Sequence, residues 1–522
     1  MSFTSRVLIV LCVFAFVSSC SKKKDDKLQS FQAFSANLRV EPTENCQSED
    51  CLLLKQEFKY LVDVGEKIYC YRAEKQAQYQ IDFNAKAAEL EAQITDQTTD
   101  TDYFIILMKW ASTFRDGHVN PMMRSDLSKL EFYNPQLRFE MLSPGTDHER
   151  LIVSQVGEDI KNLRVGTVVE KIQGLDWRSY LVKTDQMTMG STEAMRRRQV
   201  GNLILRELLS QEGPKPVSIE GTFNDQPVSE VVARQLSLYD GASDNSPDST
   251  GLELLKSAIL PNNIGYLRID GFSGSKMPEL LTQAMDRLKN TNGLIIDVRK
   301  NGGGDQSGNV VLSRLASTDI VRYSHRSIHS DYLLALRPEI EFQFDYLSGQ
   351  FTEVERRRVR VVPSEARYTG PVAVLTSPNC FSACDTFVSA LKQNKMAVVL
   401  GEPTGGGTGA PQVFELPVSG HSFRYSVFQG FTAVTNELLE GQGTLPDVVI
   451  EPTVQERTER KDRQLEKAVN WFNSYVEQAA QNSSVADSAF QLPSQFLDVS
   501  SRADLSRPFE VELDREIKRS GE

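Results

Sequence analysis

Ser382 sits in PNCFSACDTF, residues 378–387, after an apolar run, VAVLT at 372–376, and at the head of a pattern carried by Phe381, Cys384, Val388 and Leu391. The run reads as a buried strand and the pattern as a helix, so the serine falls near a strand-to-helix turn. Two roles suit that place. A serine there can cap the helix by accepting a free backbone N–H. It can also be a nucleophile, held where helix N-terminal N–H groups face a reacting oxyanion. A second stretch, GLIIDVRKNGGGD at 293–305, reads as a buried strand, a charged exit and three glycines opening a helix. Glycine lets backbone approach a ligand closely and frees N–H groups to point outward. A phosphate cradle would carry the GxxxxGK[ST] pattern, which is missing, so an oxyanion-binding turn or a plain tight turn remains. Of five histidines, only His118, in RDGHV, lies in an Asp-Gly-His segment. A lone histidine is ordinarily a surface or satisfied core residue. His325 and His329 stand four apart, as a helical metal pair would, but no third ligand accompanies them, and no metal is expected.

The elements that must position these residues follow from periodicity. Residues 50–120 carry helical patterns, clearest in LLLKQEFKYLVDVGEKIY and DYFIILMKWASTF, and read as an N-terminal helical domain at 46–125. Residues 130–236 change to short strand-like runs, among them LRVGTVVEKIQGLDW and VSIEGTFNDQPVSEVVAR. DGASDNSPDSTG at 240–251 is rich in Asp, Ser, Gly and Pro and sets an expected linker at 237–260. From 261 to 455, NIGYLRI, GLIIDVR, VAVLT and MAVVLG alternate with helical patterns, the signature of an α/β domain. RKDRQLEKAVNWFNSYVEQ predicts an amphipathic helix within 456–482, and the polar, Ser-rich tail at 483–522 is expected to be disordered.

The 522 residues, 40% apolar and 25% charged, are enough for about three globular domains. A formal net charge of -12 argues against a nucleic-acid binder, which would show a basic footprint. At the N-terminus, Arg6 precedes an apolar run, Val7 to Val17, too short to span a bilayer and suited to a signal-peptide core. VSSC at 17–20, followed by SKKKDD, resembles the lipobox of a bacterial lipoprotein. That resemblance implies a signal peptide at 1–20, lipidation of Cys20, a polar tether at 21–45 and a place in the bacterial cell envelope. An exported chain meets oxidising conditions, and a disulfide among Cys46, Cys51 and Cys70 is expected; with Cys380 and Cys384 five cysteines remain beyond Cys12 and Cys20, an odd count that cannot pair completely.

DVRKNGGG resembles the Asp-x-Arg-x-Asn-x-Gly-Gly signature of the C-terminal-processing (tail-specific) serine protease family, and VAVLTSPNCFSACDTFVSAL resembles its nucleophile segment. The resemblance covers roughly residues 50–455 and implies a crotonase-like α/β catalytic domain, a PDZ-like domain at 130–236 and Ser382 as nucleophile. One branch of the family pairs the serine with a lysine in Gly-x-x-Thr-x-Gly-Lys; here GEPTGGG places Gly407 at that position, and Lys392 and Lys395 do not match it. The tricorn-like branch uses serine, histidine and glutamate. RDGHV then implies His118 as base, and LLEGQGTLPD implies Glu440 as the acid, with Glu437 its nearest competitor. Backbone N–H groups of Gly303 and Ala383 are implied as the oxyanion hole, and a histidine base would bring activity up through a pKa near about 6.5. The implied function is serine-type endopeptidase action on exported polypeptides engaged near their C-termini, with no cofactor. The rival is an inactive member that binds peptides or other ligands. Departures from the pattern are Cys380 and Phe381, where small residues are usual, Asp385 in place of Glu, and Gly302 where proline is common.

Overall fold

The computed structural model describes residues 40–124, 129–135, 137–201, 215–240, 251–328, 330 and 351–481. The expected signal peptide with Cys20, most of the tether, His329 and the tail at 483–522 lie outside the described residues.

Helices Glu49–Ile68, Arg72–Tyr79, Phe83–Glu91 and Asp100–Thr113 open the described chain. Side chains set three of their starts. Ser48 Oγ accepts the Cys51 N–H, Asp82 accepts that of Ala85, and Thr99 and Asp102 cap one another reciprocally. A disulfide joins Cys46 to Cys51 at the first start, and Cys70 is a buried free thiol. The apolar faces of these helices bury Phe58, Leu61, Trp110 and Phe114 together with Phe414, Phe423 and Tyr425 from far along the chain. Trp110 Nε1 donates to the Tyr425 hydroxyl at 2.8 Å, and strand Asn120–Met122 pairs with strand Ser422–Tyr425. The helical region at 46–125 is therefore no independent body. Its apolar faces are covered by a hairpin of the α/β region and share one core with it.

The middle of the chain is an antiparallel sheet ordered Leu137–Leu142, Arg150–Val156, Val168–Ile172, Val217–Phe223, Gln226–Val232. Its last hairpin turns on Asn224 and Asp225, both at left-handed φ (49° and 61°), as a two-residue hairpin turn demands. Strand Arg234–Asp240 pairs with strand Lys129–Pro135.

The third layer is a six-stranded sheet ordered Leu255–Leu260, Ile264–Ile269, Gly293–Asp297, Val372–Thr376, Val398–Gly401, Val448–Val449. The first pair is antiparallel and the rest parallel. Helices Met277–Leu288, Asn309–Leu315 and Ala383–Gln393 cover one face, and helix Arg463–Gln481 covers the other with Trp471 and Phe472. Burial on both faces explains the unbroken apolar runs in GLIID and VAVLT. The linker expected at 237–260 is corrected at both ends, because 237–240 complete one strand and Leu255–Leu260 form the edge of this sheet. The low-apolar composition of the stretch hid the strand residues that flank it.

Candidate active site

Ser382 ends the loop that leaves strand Val372–Thr376 and stands at the N-cap of helix Ala383–Gln393. Its side chain makes no capping hydrogen bond, and its backbone lies at φ 60°, ψ -119°, a conformation L side chains rarely adopt. The cap alternative has no hydrogen bond to stand on; what the turn does is hold the hydroxyl at a strained corner. Several contacts impose that corner. Phe381 N–H donates to Asn301 O (3.1 Å), Cys384 N–H to Phe381 O (3.0 Å), and a Cys380–Cys384 disulfide straddles the serine. Both sulfurs are thereby committed, so a thiolate nucleophile has no candidate at these two positions.

Of the three glycines, Gly303 packs against this corner and Gly304 against the Phe272 backbone. A Cβ on Gly303 (φ 104°) would come within 2.7 Å of both Phe381 O and Ser382 Cβ, and within 3.0 Å of Ala383 N. Only glycine lets the turn come so close. The Gly303 N–H, however, donates to Asn301 Oδ1 at 2.9 Å, so an oxyanion would compete with that bond. The Ala383 N–H belongs to the first turn of the helix, where the backbone dipole favours negative charge. The Asp and Arg of DVRKNGGG are scaffold. Arg299 grips Asp297 at 2.6 Å and Asp462 at 2.7 Å, tying the strand exit to the C-terminal helix.

His118 follows helix Asp100–Thr113 in the Asp116–Gly117–His118 turn, whose backbone is fixed by the His118 N–H donating to Asp116 Oδ1 at 2.7 Å. The imidazole is buried, and the Phe381 ring lies 4.5 Å from it, centroid to centroid, tilted by 32°. The residue just before the serine thus brings the Ser382 turn against the histidine loop. A Cβ on Gly407 would run into the same Phe381 ring, so the space a dyad lysine would use is filled by an aromatic side chain. Lys392 instead pairs with Asp447 at 2.9 Å.

Among the described residues, His118 Nδ1 is buried without a hydrogen-bond partner, 3.9 Å from Asp116 Oδ1. Burial, with Arg424 nearby, pushes the imidazole down to about 4, against the pull of Asp116. Glu440 is 3% exposed, and Asp116, His118 and Glu440 each offer one side-chain atom within 4.8 Å of the others. Such a trio could also hold a metal, but the Lys75 ammonium lies 2.8 Å from Glu440 Oε1 and supplies the positive charge. Glu440 Oε2 accepts the Thr408 N–H at 3.1 Å. Burial and Asp116 push the Glu440 carboxyl up to about 8, against the pull of Lys75 and a bond with Ser191. Burial works against the Lys75 ammonium too, but Glu440 and Asp116 outweigh it and hold its pKa above the usual lysine value. Glu437 is exposed and bonds Thr435 Oγ1 at 2.7 Å, away from this cluster.

Asp385, the departure from the usual glutamate, is buried and accepts the Gly406 and Gly407 N–H groups at 3.1 and 2.9 Å. Burial pushes its carboxyl up to about 7, opposed by those bonds and by Thr404. It pins the 404–407 loop to helix Ala383–Gln393. Sequence reasoning missed Asp116, Lys75, Phe381 and Asp385 as parts of the site. Asp116 lay in the very segment that marked His118; Lys75 carried no local signal.

The family model of peptidase family S41 matches residues 263–450. Among solved structures, the chain is similar to mature CPAF, at 14% identity and a TM-score of 0.63, over 84% of this chain and 99% of that one. Mature CPAF complexed with lactacystin gives 14% and 0.61 over 84% and 99%. The photosystem II D1 C-terminal processing protease gives 16% and 0.41 over 79% and 97%.

Proposed function

Residues 263–450 make this chain a member of peptidase family S41, a serine peptidase, and on that premise we propose that Ser382, His118 and Glu440 hydrolyse peptide bonds in exported polypeptides through an acyl-enzyme. His118 takes the Ser382 proton as the hydroxyl attacks the scissile carbonyl, then returns it to the leaving amine. Glu440, whose anion the Lys75 ammonium favours against burial, lies with Asp116 beside the imidazole and in its ionised form stabilises the imidazolium. The Ala383 N–H receives the tetrahedral oxyanion, and the Gly303 N–H joins it when Asn301 gives way. Water activated by His118 then releases the acyl group. The observation that carries this reading is the strained Ser382 corner with Phe381 stacked on His118.

A second reading of the acid has its own support. Asp116 Oδ1 is 3.9 Å from the unpartnered His118 Nδ1, so a small rotation would make Asp116 the orienting carboxylate. Initial rates on denatured casein separate the possibilities. Ser382→Ala is expected to abolish turnover by on the order of 10⁶ if the groups act as a unit. Glu440→Gln is expected to cost roughly 10⁴, and Glu437→Gln nothing measurable. A larger loss for Asp116→Asn than for Glu440→Gln would transfer the role to Asp116. Hydrolysis by a folded Ser382→Ala protein would remove Ser382 as the nucleophile, and no hydrolysis by the folded wild-type chain would favour the rival, a binding protein without this chemistry.

The same proposal includes a crotonase-like catalytic core and a PDZ-like domain at 130–236 that receives a substrate C-terminus as an added strand. It also includes a lipid anchor at Cys20 in a bacterial envelope. Mass spectrometry of the mature chain is expected to show an acylated Cys20 terminus, and an unmodified terminus would remove the anchor from the account.

A further inference from the structure

We propose that Lys75 is a positioning residue of the active site, acting through Glu440; this rests on the catalytic reading above. Lys75 lies on helix Arg72–Tyr79, outside the segment matched to the peptidase family. It is 2% exposed, and its ammonium makes two short bonds, to Glu440 Oε1 (2.8 Å) and to the Arg115 carbonyl (2.7 Å). Those two partners are the point. Glu440 comes from the loop after strand Phe428–Phe431, whereas Arg115 opens the turn that carries Asp116 and His118. One cation therefore ties the acid-bearing loop to the base-bearing loop.

It also settles a conflict of charge. Asp116 and Glu440 approach one another within 4.8 Å in a buried place, where two carboxylates without a cation cannot both stay ionised. The Lys75 ammonium, 2.8 Å from Glu440 Oε1, favours the Glu440 anion against burial and against Asp116. The contacts that complete the carboxylate's surroundings are neutral: the Thr408 N–H on Oε2, and Ser191, which also accepts the Gly117 N–H at 3.1 Å. With its pKa held high by its partners, Lys75 is unsuited to act as the base for Ser382 itself.

The test is a double-mutant cycle on the mature full chain, with kcat and KM measured on denatured casein. Lys75→Met is expected to lower kcat by between about 10-fold and the roughly 10⁴-fold of Glu440→Gln, with KM unchanged. Added to Glu440→Gln, it is expected to change kcat by no more than about 2-fold, because its partner is already gone. The double variant carries neither charge, so this comparison holds even if Lys75→Met alone folds poorly. Wild-type kcat in Lys75→Met, a rise in KM alone, or an equal fold-loss in both backgrounds would overturn the proposal. Wild-type activity in Glu440→Gln or Ser382→Ala would overturn the catalytic reading beneath it, and does so without any Lys75 variant.

Discussion

At the scale of single residues, the site trades stability for geometry. Ser382 at φ 60° costs about 1–3 kcal/mol that a glycine would not incur. Ser382→Gly is therefore expected to raise the unfolding midpoint in a thermal melt while abolishing hydrolysis. An unchanged or lower midpoint would mean the corner stores no strain. His118 makes the second prediction. A base must be neutral, so activity is present above its pKa and lost as pH falls through it. Burial moves that pKa down to about 4, so the acid limb of kcat/KM is expected well below the limb near about 6.5 that an unperturbed histidine would give. The unfolded chain takes up a proton on this residue between those two values and the folded chain does not, so His118 makes stability fall as pH drops through that window. A limb near 6.5 would show that His118 is solvated in the working enzyme. Ser382, His118 and Glu440 were legible as types in recognisable segments. The stacking of Phe381 on His118, which explains why glycine stands at 407, was not, because it joins positions distant in sequence.

At the scale of elements, the strand-loop-helix unit around Ser382 is held by the Cys380–Cys384 disulfide, and the first helix by Cys46–Cys51. The two bridges close loops of nearly equal length, with separations of 4 and 5 residues, so chain entropy alone gives each about 2 kcal/mol. They differ in what they constrain. Replacing Cys380 and Cys384 by alanine is expected to lower both the unfolding midpoint and kcat. Replacing Cys46 and Cys51 should lower only the midpoint. Equal kcat for the two double variants would show that the Ser382 turn needs no clamp. The apolar runs of the parallel strands were readable because burial on both faces leaves no polar alternation. Strand Leu255–Leu260 was not, since it follows a polar stretch and pairs only at the sheet edge.

At the scale of the molecule, the site is assembled from both ends of the chain. Lys75, Asp116 and His118 come from the helical region, while Ser382, Asp385 and Glu440 come from the α/β region. The shared core of Trp110, Phe114, Phe423 and Tyr425 holds the two halves together. A sequence read in consecutive segments naturally divides them into domains, because composition changes along the chain and says nothing of which faces meet. A fragment spanning 251–481 keeps Ser382 but lacks His118, the proposed base, and uncovers that aromatic surface. It is expected to be inactive and to associate in size-exclusion chromatography. A monomeric, active fragment would contradict the shared site.

The most direct test is labelling of the purified mature chain with a fluorophosphonate, followed by peptide mapping. One adduct is expected, on the peptide carrying Ser382, formed rapidly by the wild-type chain, slowly by Glu440→Gln, and not detectably by His118→Ala. Labelling of Ser382 at the wild-type rate in His118→Ala, or no adduct on Ser382 in the wild-type chain, would contradict an activated serine served by this histidine.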